Sequence, residues 1–113
     1  MLMKLKELVK SLRLKVLAGK ELLDRDVTGG YASDMLSDVL TNSNKGYIWV
    51  TMQIHPNVTA VASTKRLAAI IIVNGRMPEA ETLRKAEEKR VPILVSESSA
   101  YAVAGRLYEL GLK

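Results

Sequence analysis

The chain has 113 residues, 48% apolar and 26% charged, with 17 lysines and arginines against 12 acids, a formal charge of +5. Length and composition predict one domain over residues 1–113 with a buried core, and they exclude a disordered or low-complexity chain. No cysteine is present, so disulfides and thiolate metal sites are excluded, as fits a reducing compartment.

The opening Met1 to Lys10 has no uninterrupted apolar core, and Leu5, Leu8, Val9 and Leu12 fall at helical spacing, which predicts an amphipathic helix over 3–12. Leu14, Val16 and Leu17 before Ala18-Gly19 read as a first strand. Residues 20–31 form a turn with a short extended piece at Asp26 to Tyr31. A second helix runs from about Asp34 to Thr41, burying Met35, Leu36, Val39 and Leu40, until Asn42-Ser-Asn-Lys-Gly46 stops it. Tyr47 to Thr51 is a strand by its β-branched and aromatic content, and one of Tyr47 and Trp49 is expected to face outward or into an interface. Pro56 opens a helix that turns Val58, Val61 and Ala62 inward.

Leu67 to Val73 is the longest apolar run, far too short to cross a bilayer, so no membrane contact and a cytoplasmic location are expected. Its Ala68-Ala-Ile-Ile-Ile-Val73 core reads as a central parallel strand covered on both faces. Asn74-Gly75 ends it, and a helix from Pro78 or Glu79 to about Arg90 follows, with Ala80, Leu83 and Ala86 inward. Pro92 to Val95 is the last strand. Ser98 or Ser99 caps a final helix with Ala100, Val103, Ala104 and Leu107 on one face, ended by Gly111.

Strands separated by helices of this length need crossover connections. The fold class is therefore α/β, a three-layer α/β/α domain with a mainly parallel sheet of four to five strands. Ligands in such sheets bind outside the carboxyl ends of the strands. That rule selects Thr28, Gly29, Gly30, Ser33 and Asp34, His55 and Asn57, Asn74 and Gly75, and Ser96 and Ser98 as candidate ligand-binding residues. The glycine pair leading into Ser33-Asp34 is the likeliest cradle for an anion, because small residues give access to backbone N–H groups at a helix start. A tight turn alone would need the same glycines.

No catalytic set is readable. His55 is the single histidine and has no carboxylate or hydroxyl partner at readable spacing, so a hydrogen-bonding role suits it better than catalysis. With no second histidine and no cysteine, no metal site and no cofactor are expected. Asp24, Asp26, Asp34 and Asp38 are close in sequence, but Asp34 and Asp38, one turn apart, fit helix capping and surface roles better than a metal site. The basic residues look spread along the chain: Lys4, Lys6, Lys10, Arg13, Lys15 and Lys20 early, then Arg84, Lys85, Lys89 and Arg90 interleaved with Glu81, Glu87 and Glu88. Such interleaving is that of a solvated helix face, and none of the four tyrosines or the tryptophan lies in a basic stripe, so nucleic acid is not an expected partner.

Asp24-Arg25 followed by Thr28-Gly29-Gly30, then Ala68 to Gly75, then Pro92 to Ser96, resemble the DRTGG domain family over about Leu14 to Leu110. Two residues interrupt the namesake letters here. The resemblance implies a domain of the kind attached to paired CBS modules, to phosphotransacetylase and to other catalytic domains, similar to the N-terminal, non-catalytic domain of HPr kinase. It does not imply a kinase. Gly19-Lys20 is the single Gly-Lys pair, with Leu14 where a P-loop needs its first glycine and Glu21 where it needs a hydroxyl.

The expected function is a non-catalytic regulatory or ligand-sensing module that acts through self-association or a protein partner. One alternative is a sensor of a small anionic or nucleotide ligand, and another a small enzyme using His55 with a Gly29-Gly30 anion loop. A two-fold dimer is the expected assembly, with Leu2, Met3, Leu5, Leu112, Tyr47 and Trp49 as expected apolar contributors at the surface.

Overall fold

In the computed structural model, which describes residues 3–113, the continuously apolar run becomes strand β6 (Ala69–Ile72), buried at all four positions. It lies in a five-stranded sheet ordered β2-β7-β6-β5-β4, formed by β2 (Lys15–Ala18), β4 (Gly29–Ala32), β5 (Tyr47–Thr51), β6 and β7 (Ile93–Val95). Strands β4, β5, β6 and β7 are parallel, and β2 closes one edge antiparallel to β7. This is the predicted class. Met3–Lys4 (β1) and Asp26–Val27 (β3) add a two-residue ribbon beside it.

Alternation along the strands sends successive residues to opposite faces. Trp49, Ile70, Ile72, Ile93 and Val95 face α2 (Leu36–Asn42), α3 (Asn57–Lys65) and α4 (Ala80–Lys89), whose Val39, Val58, Val61, Ala62 and Ala86 complete one core. Ile48, Val50, Ala69, Ile71 and Leu94 face α1 (Leu5–Ser11) and α5 (Ala100–Glu109), which supply Leu5, Leu8, Val103 and Leu107 to the other. The spatial order of β4, β5, β6 and β7 follows their order in the chain, so each crossover steps the same way. The three crossover helices therefore share one face.

Several expectations need correction. The glycine pair is not a loop: Gly29 and Gly30 begin β4, paired with Tyr47 and Ile48. The second helix starts at Leu36 rather than Asp34, which leaves Met35 outside it at 64% exposure and Leu40 on its outer face at 40%. The sheet buries a single stripe of so short a helix, and Val39 occupies it. Ala80 is exposed and Thr82 buried in α4, since Thr82 Oγ1 donates to Ile54 O at 2.7 Å and turns that face inward. Leu5 and Trp49, expected at the surface, are fully buried, because helices cover both sheet faces and the Trp49 indole donates to Ser33 O at 2.8 Å. Leu2 lies outside the described residues. Among those described, no helix is long and apolar enough to cross a membrane.

Candidate functional site

The parallel register separates the sequence-selected residues into two groups at opposite ends of the sheet. Gly29 pairs with Tyr47 at the amino end of β5, whereas Ser33 donates its N–H to Val50 O near the carboxyl end. The four residue steps from Gly29 to Ser33 span roughly 13 Å. Thr28 and Gly29 therefore lie at the amino edge, and Ser33, Asp34, His55, Asn57, Asn74, Gly75, Ser96 and Ser98 at the carboxyl edge. The expected convergence of Thr28-Gly29-Gly30 with Asn74 does not occur.

At the carboxyl edge the polar groups satisfy one another. Asp34 Oδ1 accepts from Thr51 Oγ1 at 2.8 Å and from Met52 N at 2.7 Å, and Gln53 Nε2 donates to Asp34 O. Ser33 Oγ accepts from Met35 N at the start of α2. Arg76 donates to Met52 O at 2.7 Å, and Asn74 Nδ2 to Met52 Sδ. Asn74 N and Gly75 N donate to Ser98 O and Ser96 O, while Ser98 N donates to Ser96 Oγ. His55 Nδ1 accepts from Asn57 N at 3.1 Å, which closes the turn into α3. A crevice opens at carboxyl ends where the strand order reverses between neighbouring parallel strands. No such reversal occurs from β4 to β7, and a carboxylate sits beside the α2 start where an anion was expected.

The amino edge holds a cleft of about 680 Å³, between the loops that enter β5, β6 and β7 and the segment Arg25 to Thr28. Of the namesake residues, Arg25 and Thr28 line it. Arg25 donates to Arg90 O at 2.8 Å and to Ala68 O at 3.4 Å, tying the entry of β7 to the entry of β6. Partial burial, then the neighbouring Arg90, holds its pKa below the usual guanidinium value. Thr28 Oγ1 donates to Lys45 O at 2.9 Å, and Thr28 N to Gly46 O. Gly46 sits at φ +83, and a Cβ there would lie 2.6 Å from Thr28 Oγ1. At Gly29 a Cβ would lie 2.6 Å from the Tyr47 ring, so only glycine lets the ring lie across the strand. Asp24 stands outside the cleft and pairs with Lys6 at 2.9 Å.

Arg25, Lys45, Arg66, Lys89 and Arg90 line this cleft with a single acid, Asp26, whose carboxylate is taken by Lys4 at 2.8 Å. The sequence reading missed this convergence. A signal was present: Asn44-Lys45, Lys65-Arg66 and Lys89-Arg90 each place a cation just before a strand begins. The enzyme alternative loses its geometry as well, because His55 and Gly29-Gly30 belong to opposite ends of the sheet. Among the described residues, no three of His, Cys, Asp and Glu are grouped to hold a metal ion.

None of the curated proteins compared with the chain matches it. Among solved structures, it is similar to the CBS and DRTGG domains of the regulatory region of Clostridium perfringens pyrophosphatase, complexed with the activator diadenosine tetraphosphate. The TM-score is 0.73 at 14% identity, over 96% of this chain and 47% of that one, so the chain spans about half the length of that relative. The family model of the DRTGG domain matches residues 7–110, and with Arg25, Thr28, Gly29 and Gly30 all placed at or beside the amino edge of a mostly parallel sheet, the chain belongs to the DRTGG domain family.

Proposed function

We propose that this protein is a non-catalytic regulatory module that acts by associating with a second copy of itself. The observation that carries this reading is the open edge of the sheet. Strand β4 pairs on one side with β5 and on the other with nothing among the described residues, so a row of backbone N–H and C=O groups faces outward. Its residues are small: Gly30 and Ala32 leave a shallow groove against Leu107, Tyr108 and Leu112. Tyr108 is 60% exposed. Two such edges related by a two-fold axis are self-complementary, since antiparallel pairing of β4 with its copy matches donors to acceptors on both chains. The regulatory role of the solved pyrophosphatase region supports the same reading.

Sedimentation at micromolar concentration tests it. The wild-type chain is expected to dimerise. Ala32→Lys, which sets like charges beside the two-fold axis, should return it to monomer without loss of its circular dichroism. A wild-type monomer, or a dimer indifferent to Ala32→Lys, refutes edge pairing.

A further inference from the structure

We propose that the amino-edge cleft binds a nucleoside polyphosphate or a closely similar organic molecule bearing two or more phosphates. The inference rests on charge balance within the cleft and is independent of the association described above. Basic residues at helix C-termini have an ordinary explanation, because each helix end carries about half a negative charge that a cation complements. Three helices, α2, α3 and α4, end at this edge, which amounts to roughly 1.5 negative charges. Five cations line the cleft. Arg25 is held by two carbonyls, and the remaining four, Lys45, Arg66, Lys89 and Arg90, make no salt bridge and no side-chain hydrogen bond among the described residues. The same helix α4 pairs its other arginine fully, as Arg84 bonds both Glu81 and Glu88. Arg84 is thus paired on the open face of α4, whereas Lys89 and Arg90 stand unpaired at its cleft end.

Backbone conformation points the same way. Arg66 and Arg90 end α3 and α4 with φ of +56 and +57, and they are two of four non-glycine residues with positive φ among the described residues. Glycine or asparagine would fill such C-terminal positions with less strain, an arginine there costing roughly 1 kcal/mol. Both arginines nevertheless stand where they flank the cleft. Its floor is apolar and buried, made by Ala62, Leu67, Ala68 and Val91. Clustered cations alone suit any phosphate, but an apolar floor also desolvates a flat organic group. Guanidinium groups at the rim can bind phosphate oxygens in bidentate fashion and stack on a base. The volume, about 680 Å³, lies within the range of small-molecule sites.

Isothermal titration of the purified chain at near-physiological salt tests the proposal with ATP, AMP and inorganic tripolyphosphate. ATP should bind in the micromolar range, at least tenfold more tightly than AMP and more tightly than tripolyphosphate. Arg66→Glu and Lys89→Glu, both exposed and both without bonds to lose, should each weaken ATP at least tenfold. Lys10→Glu, the same charge change on α1, should leave it unaltered. No binding of any of the three at millimolar concentration overturns the proposal, as does equal weakening by Lys10→Glu. Tripolyphosphate binding as tightly as ATP overturns the nucleoside assignment, and tighter binding of an RNA oligonucleotide overturns the small-molecule reading.

Discussion

Replacing Arg25 by alanine asks whether the family's arginine holds the fold together. In the wild type its guanidinium donates to Arg90 O at 2.8 Å and more weakly to Ala68 O at 3.4 Å. A hydrogen bond from a charged donor contributes about 1.5–3 kcal/mol when short and well placed, but the Arg90 bond is solvent-exposed and the Ala68 bond is long, so each lies at or below the low end. Ala68 is 2% exposed and its carbonyl also sits at the start of β6, so losing Arg25 removes a donor from a sparsely hydrated acceptor. Together these give a loss of about 2 kcal/mol, partly offset because the partly buried guanidinium no longer bears its desolvation cost. For a chain of this size that corresponds to a fall in Tm of roughly 8 °C. Urea unfolding followed by circular dichroism measures the loss directly, with Arg66→Ala as the exposed control expected within about 0.5 kcal/mol of wild type. Arg25→Lys should recover less than half, because one ammonium cannot span both carbonyls. Arg25→Ala within 0.5 kcal/mol of wild type would refute the clamp and leave Arg25 available as a ligand contact instead.

Gly29→Ala should destabilise by about 1–3 kcal/mol through its clash with the Tyr47 ring. The double variant with Tyr47→Ala should lose less than the sum of the two single losses in a double-mutant cycle, and strict additivity would show that the ring is not the obstacle. The Tyr31 hydroxyl donates to Asp38 Oδ1 at 2.7 Å, and this bond raises the tyrosine pKa above its usual 10.0 while lowering that of the aspartate below its usual 3.8. The stabilisation is therefore present between those values. It is lost at acid pH as Asp38 protonates at its depressed pKa, and at alkaline pH as Tyr31 ionises at its raised one. Phenolate absorbance of wild type minus Tyr31→Phe should give a midpoint above 10.0 that falls in Asp38→Asn, and an unmoved midpoint would contradict the bond. Purified protein should transfer no phosphate to an HPr-like acceptor. Transfer that disappears in His55→Ala would refute the non-catalytic reading.

The two ends of the sheet differ in how well their residues can be read from the chain. His55, Asn74 and Ser96 follow strands whose composition is unmistakable, so their place at the carboxyl edge was legible. Their mutual satisfaction was not, because whether Asp34 bonds Thr51 and Met52 or faces a ligand depends on where β4 ends relative to β5. Gly29-Gly30 misled for a different reason. Glycine tolerates turn and strand alike, so no local preference identifies it as the start of an edge strand. The cations of the amino edge were each visible, yet Lys45, Arg66 and Lys89 lie about twenty residues apart and only adjacent strand entries bring them together.

The sequence by itself determined the alternation of helix and strand, the β-branched centre at Ala69–Ile72 and the α/β class, since these follow from periodicities and side-chain preferences that act over a few residues. Tertiary structure decided which end of the sheet each loop occupies and which side chains meet there. Strand order and register are collective outcomes of burying two sheet faces at once: α2, α3 and α4 were placed on one face, Asp34 was bonded to Thr51 and Met52 at the carboxyl edge, and four unmatched cations were gathered at the other end.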